Sequence, residues 1–250
     1  MLHTIRQNEF QKKRYIITGS EGFIGSKLTK ALEDLGYTVL KIDRRLGKTI
    51  SQSVQFENID LIYHLAAQID LQYSRLHPLQ DAMDNIIDTI NLIQLYPNIK
   101  IIYPATAASL PITSPYGLSK KTASEYIKLL CPEYIILTLP NIWGEGGHGV
   151  INKFIDADVI KVNGEGHQSR TIVHVDDIVK GFVKAKDWPT GEYMLGSDRV
   201  YSVKEIAQKI AAKTGKKIEF NLKYDPKKEG EIYASVIPNT TPNWKAEIDL

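Results

Sequence analysis

The chain has 250 residues, of which 43% are hydrophobic and 24% charged, the composition of a folded globular protein. A net charge of +2, with basic residues scattered rather than striped, argues against nucleic acid as a partner, and no apolar run approaches the ~20 residues of a membrane span. The single cysteine, Cys131, excludes an internal disulfide and suits a reducing compartment, so the cytoplasm is the expected location.

Residues 1–13 lack the apolar core of a secretory signal and read as a tail. A short apolar run predicts a strand over 14–18, followed by a glycine turn and a helix over 26–36 carrying Leu28, Ala31, Leu32 and Leu35. Strands are expected over 38–43 and 61–67, then a helix over 77–96 that ends before Pro97. A strand over 100–105, a helix over 115–130 and a strand over 134–140 complete the series. This alternation predicts an α/β fold, a Rossmann-type doubly wound parallel sheet with helices on both faces and right-handed crossovers. From Asn141 the texture changes to a glycine-rich stretch, short strands and one clear helix over 203–214. The expected organisation is a dinucleotide-binding domain over 14–140 and a smaller, trimmed α/β substrate-binding lobe over 141–250. Residues 171–186 read as a strand and helix returning to the first domain.

Gly19, Gly22 and Gly25 stand between the first strand and the first helix. A tight turn at that point delivers the chain to a helix N-terminus, whose free N–H groups and dipole favour a pyrophosphate. Glycine there lets backbone and phosphate approach closely. Asp43 ends the second strand, 18 residues after Gly25. A carboxylate so placed accepts hydrogen bonds from an adenosine ribose and repels a 2′-phosphate, so NAD is expected rather than NADP. Arg44 and Arg45 follow directly and soften that preference.

Tyr-x-x-x-Lys occurs four times, at Tyr37/Lys41, Tyr96/Lys100, Tyr116/Lys120 and Tyr224/Lys228. Only Tyr116/Lys120 falls inside a predicted helix, with Ser114 to cap it and Pro115 at its first position, which sets the pair one turn apart on one face. A neighbouring ammonium and a positive nicotinamide favour phenolate over phenol. The tyrosine is therefore expected to titrate below its usual ~10, as a base for a hydroxyl proton.

These stretches together resemble the extended short-chain dehydrogenase/reductase superfamily, in its NAD-dependent nucleotide-sugar epimerase/dehydratase branch, and most of all the UDP-glucose 4-epimerases. The likeness is carried by residues 18–25, Asp43, 64–67, Asn85, 103–109, 116–120, 141–147, 164–177 and 227–231, in order along the chain. It implies that Tyr116, Lys120 and Thr106 are catalytic, with Thr106 holding the sugar oxygen. It implies that Gly19, Glu21, Gly22, Phe23, Ile24, Gly25, Asp43, Leu65, Ala66, Ala67, Asn85, Tyr116, Lys120, Pro140 and Ile142 line the cofactor. Thr106, Asn141, Lys161, Arg170 and Lys228 would hold the nucleotide-diphosphate sugar, a UDP- or dTDP-hexose. The resemblance also implies a homodimer formed through the helices bearing Asn85 and Tyr116.

In a 4-epimerase of this kind the C4 hydroxyl is oxidised to a 4-keto sugar, which turns over and is reduced on its other face. Dehydratases of the family carry Asp-Glu just after the catalytic threonine, whereas this chain has Ala107 and Ala108. A ketosugar reductase would use the same three residues, and a non-catalytic dinucleotide-binding module would need none of them. Elsewhere, His64 reads as a core histidine and Cys131 as structural. His174, Asp176 and Asp177 lack a third partner placed by spacing, so no metal is expected, and one of the two acids is expected to cap the following helix. Trp143 and Trp188 read as packing residues, and Glu145 and His148 as loop residues near the sugar.

Overall fold

The computed structural model describes residues 12–50, 55–224 and 234–250. Its main sheet is parallel, in the order β2 (Thr38–Ile42), β1 (Arg14–Thr18), β3 (Leu61–His64), β4 (Ile101–Thr106), β5 (Tyr134–Leu139) and β9 (Gly191–Met194). The pleat sends alternate residues to opposite faces. Tyr15 and Ile17 therefore join one core layer with Leu61, Tyr63 and Leu137, while Ile16 joins the other with Ile62, Ile101 and Tyr103. The first layer is covered by α1 (Phe23–Asp34) and α7 (Val175–Ala185), through Leu28, Leu32, Ile178 and Phe182. The second is covered by α4 (Asp88–Leu95) and α5 (Pro115–Leu130), through Leu92, Ile93, Ala123 and Ile127. Helices on both faces of a six-stranded parallel sheet make the doubly wound α/β fold that the alternation predicts.

A third apolar cluster holds the lobe together. There α6 (Val150–Asp156) and α8 (Val203–Thr214) cover the parallel pair β7 (Val159–Asn163) and β11 (Lys217–Asn221). The helix α8 has the predicted bounds because Ser202 and Glu205 form a reciprocal capping box and Gly215, at φ +72°, closes its end. Beside this cluster β8 (Ser169–His174) pairs in parallel with β6 (Asn141–Trp143) and β12 (Ala234–Ser235) and antiparallel with β10 (Val200–Ser202).

Two local expectations need correction. The helix expected over 77–96 is α2 (Leu71–Leu76), α3 (Pro78–Ala82), a π-turn over Met83–Ile87 and α4. The break falls at His77, at φ −131° and ψ 57°, because the residue before a proline is driven out of the helical region. The π-turn adds one residue to the spiral, with the Asp88 N–H reaching back to the Met83 carbonyl. Secondly, neither Asp176 nor Asp177 caps α7; the His174 ring accepts the Asp176 N–H instead. Asp177 is fully buried and binds the C-terminal segment, accepting the N–H groups of Glu247 and Ile248 at 2.7 Å each. The Trp244 indole donates to the Asp177 carbonyl at 2.8 Å and packs, with Trp188, in the first core layer. Trp143 lies edge-on to His174, against the third cluster. Among the described residues no helix is long and apolar enough to cross a membrane.

Candidate active site

The glycine turn is built by close approach. Gly19, at φ +69°, lies so near the β3 exit that a Cβ on it would meet Ala66 N at 2.8 Å and the Leu65 carbonyl carbon at 2.9 Å. A Cβ on Gly25 would sit 2.0 Å from the Gly19 carbonyl oxygen, and this contact lets α1 begin at Phe23, before the expected start at 26. Gly22 caps α1 without a side chain, so the first-turn N–H groups stay available to an anion. Glu21 lies in this turn and Phe23 and Ile24 open α1, while Leu65 and Ala66 face the turn from the β3 exit, with Ala67 next in the chain.

Asp43 closes the cradle. Its carboxylate accepts the Glu21 N–H at 3.0 Å and the Arg45 N–H at 2.8 Å, and so ties the end of β2 to the glycine turn. The Arg45 guanidinium donates to the Glu21 carbonyl at 2.6 Å, so this arginine braces the turn, a role the sequence did not suggest. Each Asp43 oxygen keeps a lone pair for a ribose hydroxyl. A Cβ-free cradle, an uncapped helix N-terminus and a strand-end carboxylate fit NAD.

The second half of the site forms where β4 meets α5. Ser114 accepts the Gly117 N–H at 3.1 Å and Pro115 fills the first position, so the helix starts where predicted. A Cβ on Gly117 would lie 2.3 Å from the Ala108 carbonyl oxygen, so the turn after Thr106 rests directly on the α5 backbone. The Ser109 hydroxyl donates to the Gly117 carbonyl at 2.9 Å and locks that contact. Thr106 is thereby held beside Tyr116, and its hydroxyl also accepts the Ala108 N–H at 3.2 Å.

The titration of this pair departs from the sequence expectation. Burial raises the Tyr116 phenol above its ordinary value, a hydrogen bond from Thr106 works against that, and Asp81 adds to the rise. Lys120 is 3% exposed, with its ammonium nitrogen 3.8 Å above the centroid of the Tyr103 ring. Burial pushes Lys120 down to about 7, against the pull of Asp81. The lysine thus lies over Tyr103 and is half discharged near neutrality. Burial therefore outweighs the lowering by Thr106, and the phenol stands above its ordinary value where the sequence reading expected it below.

Beneath the pair runs a buried polar chain. The Ala66 N–H donates to Thr18 Oγ1 at 3.0 Å, Thr18 bonds His64 Nδ1 at 2.7 Å, and His64 Nε2 meets Thr89 Oγ1 at 2.9 Å. Thr89 in turn donates to the Asn85 carbonyl at 2.7 Å, which assigns the ring proton to Nε2. His64 is held neutral, pushed down to about 3 by burial and then by Lys120. Asn85, in the π-turn, accepts the Gln68 N–H at 2.8 Å through Oδ1, and its Nδ2 donates to the Gln68 carbonyl and to Ser119 Oγ, both at 3.0 Å. Its side chain therefore braces the loop after β3 against α5. Gln68, Asp81 and Ser119 were not singled out from sequence; the available signal was Asp81 lying four residues before Asn85 on one helical face.

The other Tyr-x-x-x-Lys pairs do not join this site among the described residues. Lys41 pairs with Glu33 at 3.1 Å, Lys100 donates to the Trp188 carbonyl at 2.9 Å, and Lys228 lies outside the described residues. Pro140 is buried after β5, with Asn141 and Ile142 opening β6 against Ile172 and Val173 of β8. Lys161 is exposed on β7, where it lines a cleft of about 770 Å³ with His148, Lys153 and Asn163. Arg170 lies on β8, where it donates to the Ser169 carbonyl at 2.9 Å. A Cβ on Gly147 would lie 3.0 Å from the Phe23 ring, so the loop beginning at Gly144 meets the glycine turn.

Residues 15–196 match the model of the NAD dependent epimerase/dehydratase family. The chain belongs to that family. Among its relatives, a putative UDP-glucose 4-epimerase of Methanocaldococcus jannaschii is 30% identical, the match covering 94% of each chain. A UDP-N-acetyl-alpha-D-glucosaminuronate decarboxylase of Bacillus cytotoxicus is 29% identical over 80% of this chain and 79% of its own. The solved structure of MoeE5 in complex with UDP-glucuronic acid and NAD superimposes with a TM-score of 0.85 at 19% identity, over 94% of each chain, and shows the same fold. Membership makes the cofactor NAD, which the geometry at Gly19–Gly25 and Asp43 fits.

Proposed function

We propose that the chain is an NAD-dependent nucleotide-sugar 4-epimerase acting on a UDP- or dTDP-hexose, as a cytoplasmic homodimer. The observation that carries this reading is the composition of the β4–α5 junction. Thr106 and Tyr116 stand together there with Lys120 one turn on, and the two positions directly after Thr106 are Ala107 and Ala108. The family's dehydratases carry Asp-Glu at those two positions. Without an acid in that turn, water cannot be eliminated by this route, and oxidation followed by reduction at the same carbon remains. The naming of relatives as UDP-glucose 4-epimerases supports the same choice.

Bound NAD supplies the hydride acceptor and donor. Tyr116 takes the proton of the C4 hydroxyl and returns it, Thr106 fixes the direction of that hydroxyl, and the Lys120 ammonium favours the phenolate. Asn141, Arg170 and Lys228 are assigned to the diphosphate of the nucleotide sugar, and Lys161 to its base. Dimerisation is supported by apolar side chains left exposed on the helices concerned: Leu79, Met83 and Ile87 at four-residue spacing, and Leu118 and Leu129 on α5. The test is to identify the dinucleotide released on denaturation and to incubate the native protein with UDP- and dTDP-hexoses without added cofactor. Epimer formed with catalytic NAD, and lost in Tyr116→Phe, is the expected result. Turnover requiring stoichiometric NADPH and a keto sugar would assign it as a reductase, and no turnover would leave a binding module.

A further inference from the structure

Asp81 lies outside the Thr106–Tyr116–Lys120 set, yet it is only 1% exposed. A buried carboxylate is costly unless it is hydrogen-bonded and faces a compensating charge. Its Oδ1 accepts from Gln68 Nε2 at 2.9 Å and from Asn85 Nδ2 at 3.3 Å. Those two residues lead to the catalytic helix: Asn85 donates to Ser119 Oγ at 3.0 Å, and the Ser119 hydroxyl donates to the Tyr116 carbonyl at 3.1 Å. Bonds therefore run from Asp81 to the main chain of Tyr116 itself. The second residue of the pair feels it through space, since Asp81 favours the charged form of Lys120. Its negative charge also disfavours the phenolates of Tyr116 and Tyr103.

We propose that Asp81 is a positioning residue for the Tyr116–Lys120 pair, its carboxylate holding Gln68 and Asn85 against the Tyr116 turn and standing as counter-charge to the Lys120 ammonium. The inference rests on the reading of Tyr116 and Lys120 as the catalytic pair. The titratable groups around Lys120 among the described residues are His64 from β3, Tyr103 from β4, Asp81 from α3 and Tyr116 of its own helix. His64 is neutral and Tyr103 stays a phenol, so Asp81 is the negative charge among them. It holds a proton on both members of the pair, and it therefore sets the pH window in which a tyrosinate and an ammonium coexist.

Asp81→Asn keeps the shape and an acceptor for Gln68 while removing the charge. Both limbs of the kcat/KM–pH profile should move to lower pH by about one unit, with activity above the optimum falling roughly tenfold. A second readout needs no turnover. In NAD-free protein, the pH at which Lys120 loses its proton is read as the pH-dependent difference in urea stability between chains with Lys120 and with Lys120→Met. Asp81→Asn should lower that pH, and it should add no pH-dependent difference in the Lys120→Met background. Asp81→Glu, which restores the charge, should bring both limbs back. If Asp81→Asn does not fold, Asp81→Ser serves the same comparison. Loss of stability uniform in pH, with both limbs unmoved, would overturn the proposal and leave Asp81 a structural carboxylate. Full turnover in Tyr116→Phe and Lys120→Met would overturn the catalytic reading beneath it, a separate result.

Discussion

Lys120, proposed as the partner of Tyr116, should cost the folded protein stability at neutral pH. Its amine is pushed from 10.5 to about 7 in the fold, chiefly by burial. Between those values the unfolded chain binds the extra proton, so stability rises with pH across that window and is lowest below it. Each unit of difference is worth about 1.4 kcal/mol, which makes the penalty about 4 kcal/mol at pH 7 and about 2 at pH 9. The assay is urea unfolding of NAD-stripped protein at pH 7 and pH 9, for the native chain and for Lys120→Met. Other groups that titrate in the window are common to both proteins and cancel in the difference. Cys131, raised to about 11 by burial, is one of them. The native chain should gain about 2 kcal/mol more than Lys120→Met over those two pH units. Stability curves that run parallel from pH 7 to 9 would refute the reasoning, and would mean that Lys120 keeps an ordinary lysine titration. In the same variant, turnover should fall to background.

His64 gives the acid counterpart: held near 3 in the fold against 6.5 in the free side chain, it should cost about 2 kcal/mol between pH 6.5 and 5, and urea midpoints of His64→Gln should flatten over that range. Gly25→Ala, with its Cβ aimed 2.0 Å from the Gly19 carbonyl oxygen, should weaken NAD binding by calorimetry at least tenfold while the sheet stays folded by circular dichroism. Gly117→Ala, aimed 2.3 Å from the Ala108 carbonyl oxygen, should displace the Thr106 turn and lower kcat by about tenfold or more with NAD affinity little changed. Asp177→Ala strands the N–H groups of Glu247 and Ile248 and should lower unfolding stability by about 2–4 kcal/mol, measured in urea.

What the sequence made legible follows from which interactions are local. The bounds of α5 and α8 could be read because their caps, Ser114 with Pro115 and Ser202 with Glu205, lie within three residues of what they bond. The glycine turn could be read because close approach leaves only glycine at Gly19 and Gly25. The π-turn around Asn85 could not, since its cause is the long-range set of bonds to Gln68 and Ser119 rather than any local propensity. The direction expected for Tyr116 differs for the same reason: a spacing of four residues gives the neighbour but not the depth of burial, and burial dominates. Asp177 looked like a cap by position, while its partners lie about 70 residues further on.

The sixth strand of the main sheet, Gly191–Met194, has a consequence for the order in which the molecule can form. It pairs with Tyr134–Leu139 only after the chain has built β6, α6, β7, β8 and α7 in between. The layer it borders is sealed later still, by Trp244 against α7. During synthesis this apolar layer therefore stays incomplete until the chain beyond Trp244 has emerged. Long-range closure of this kind slows folding and exposes strand edges to other chains. A truncation before Trp244 should therefore show its defect first as aggregation of the nascent protein, with NAD chemistry affected only as a result.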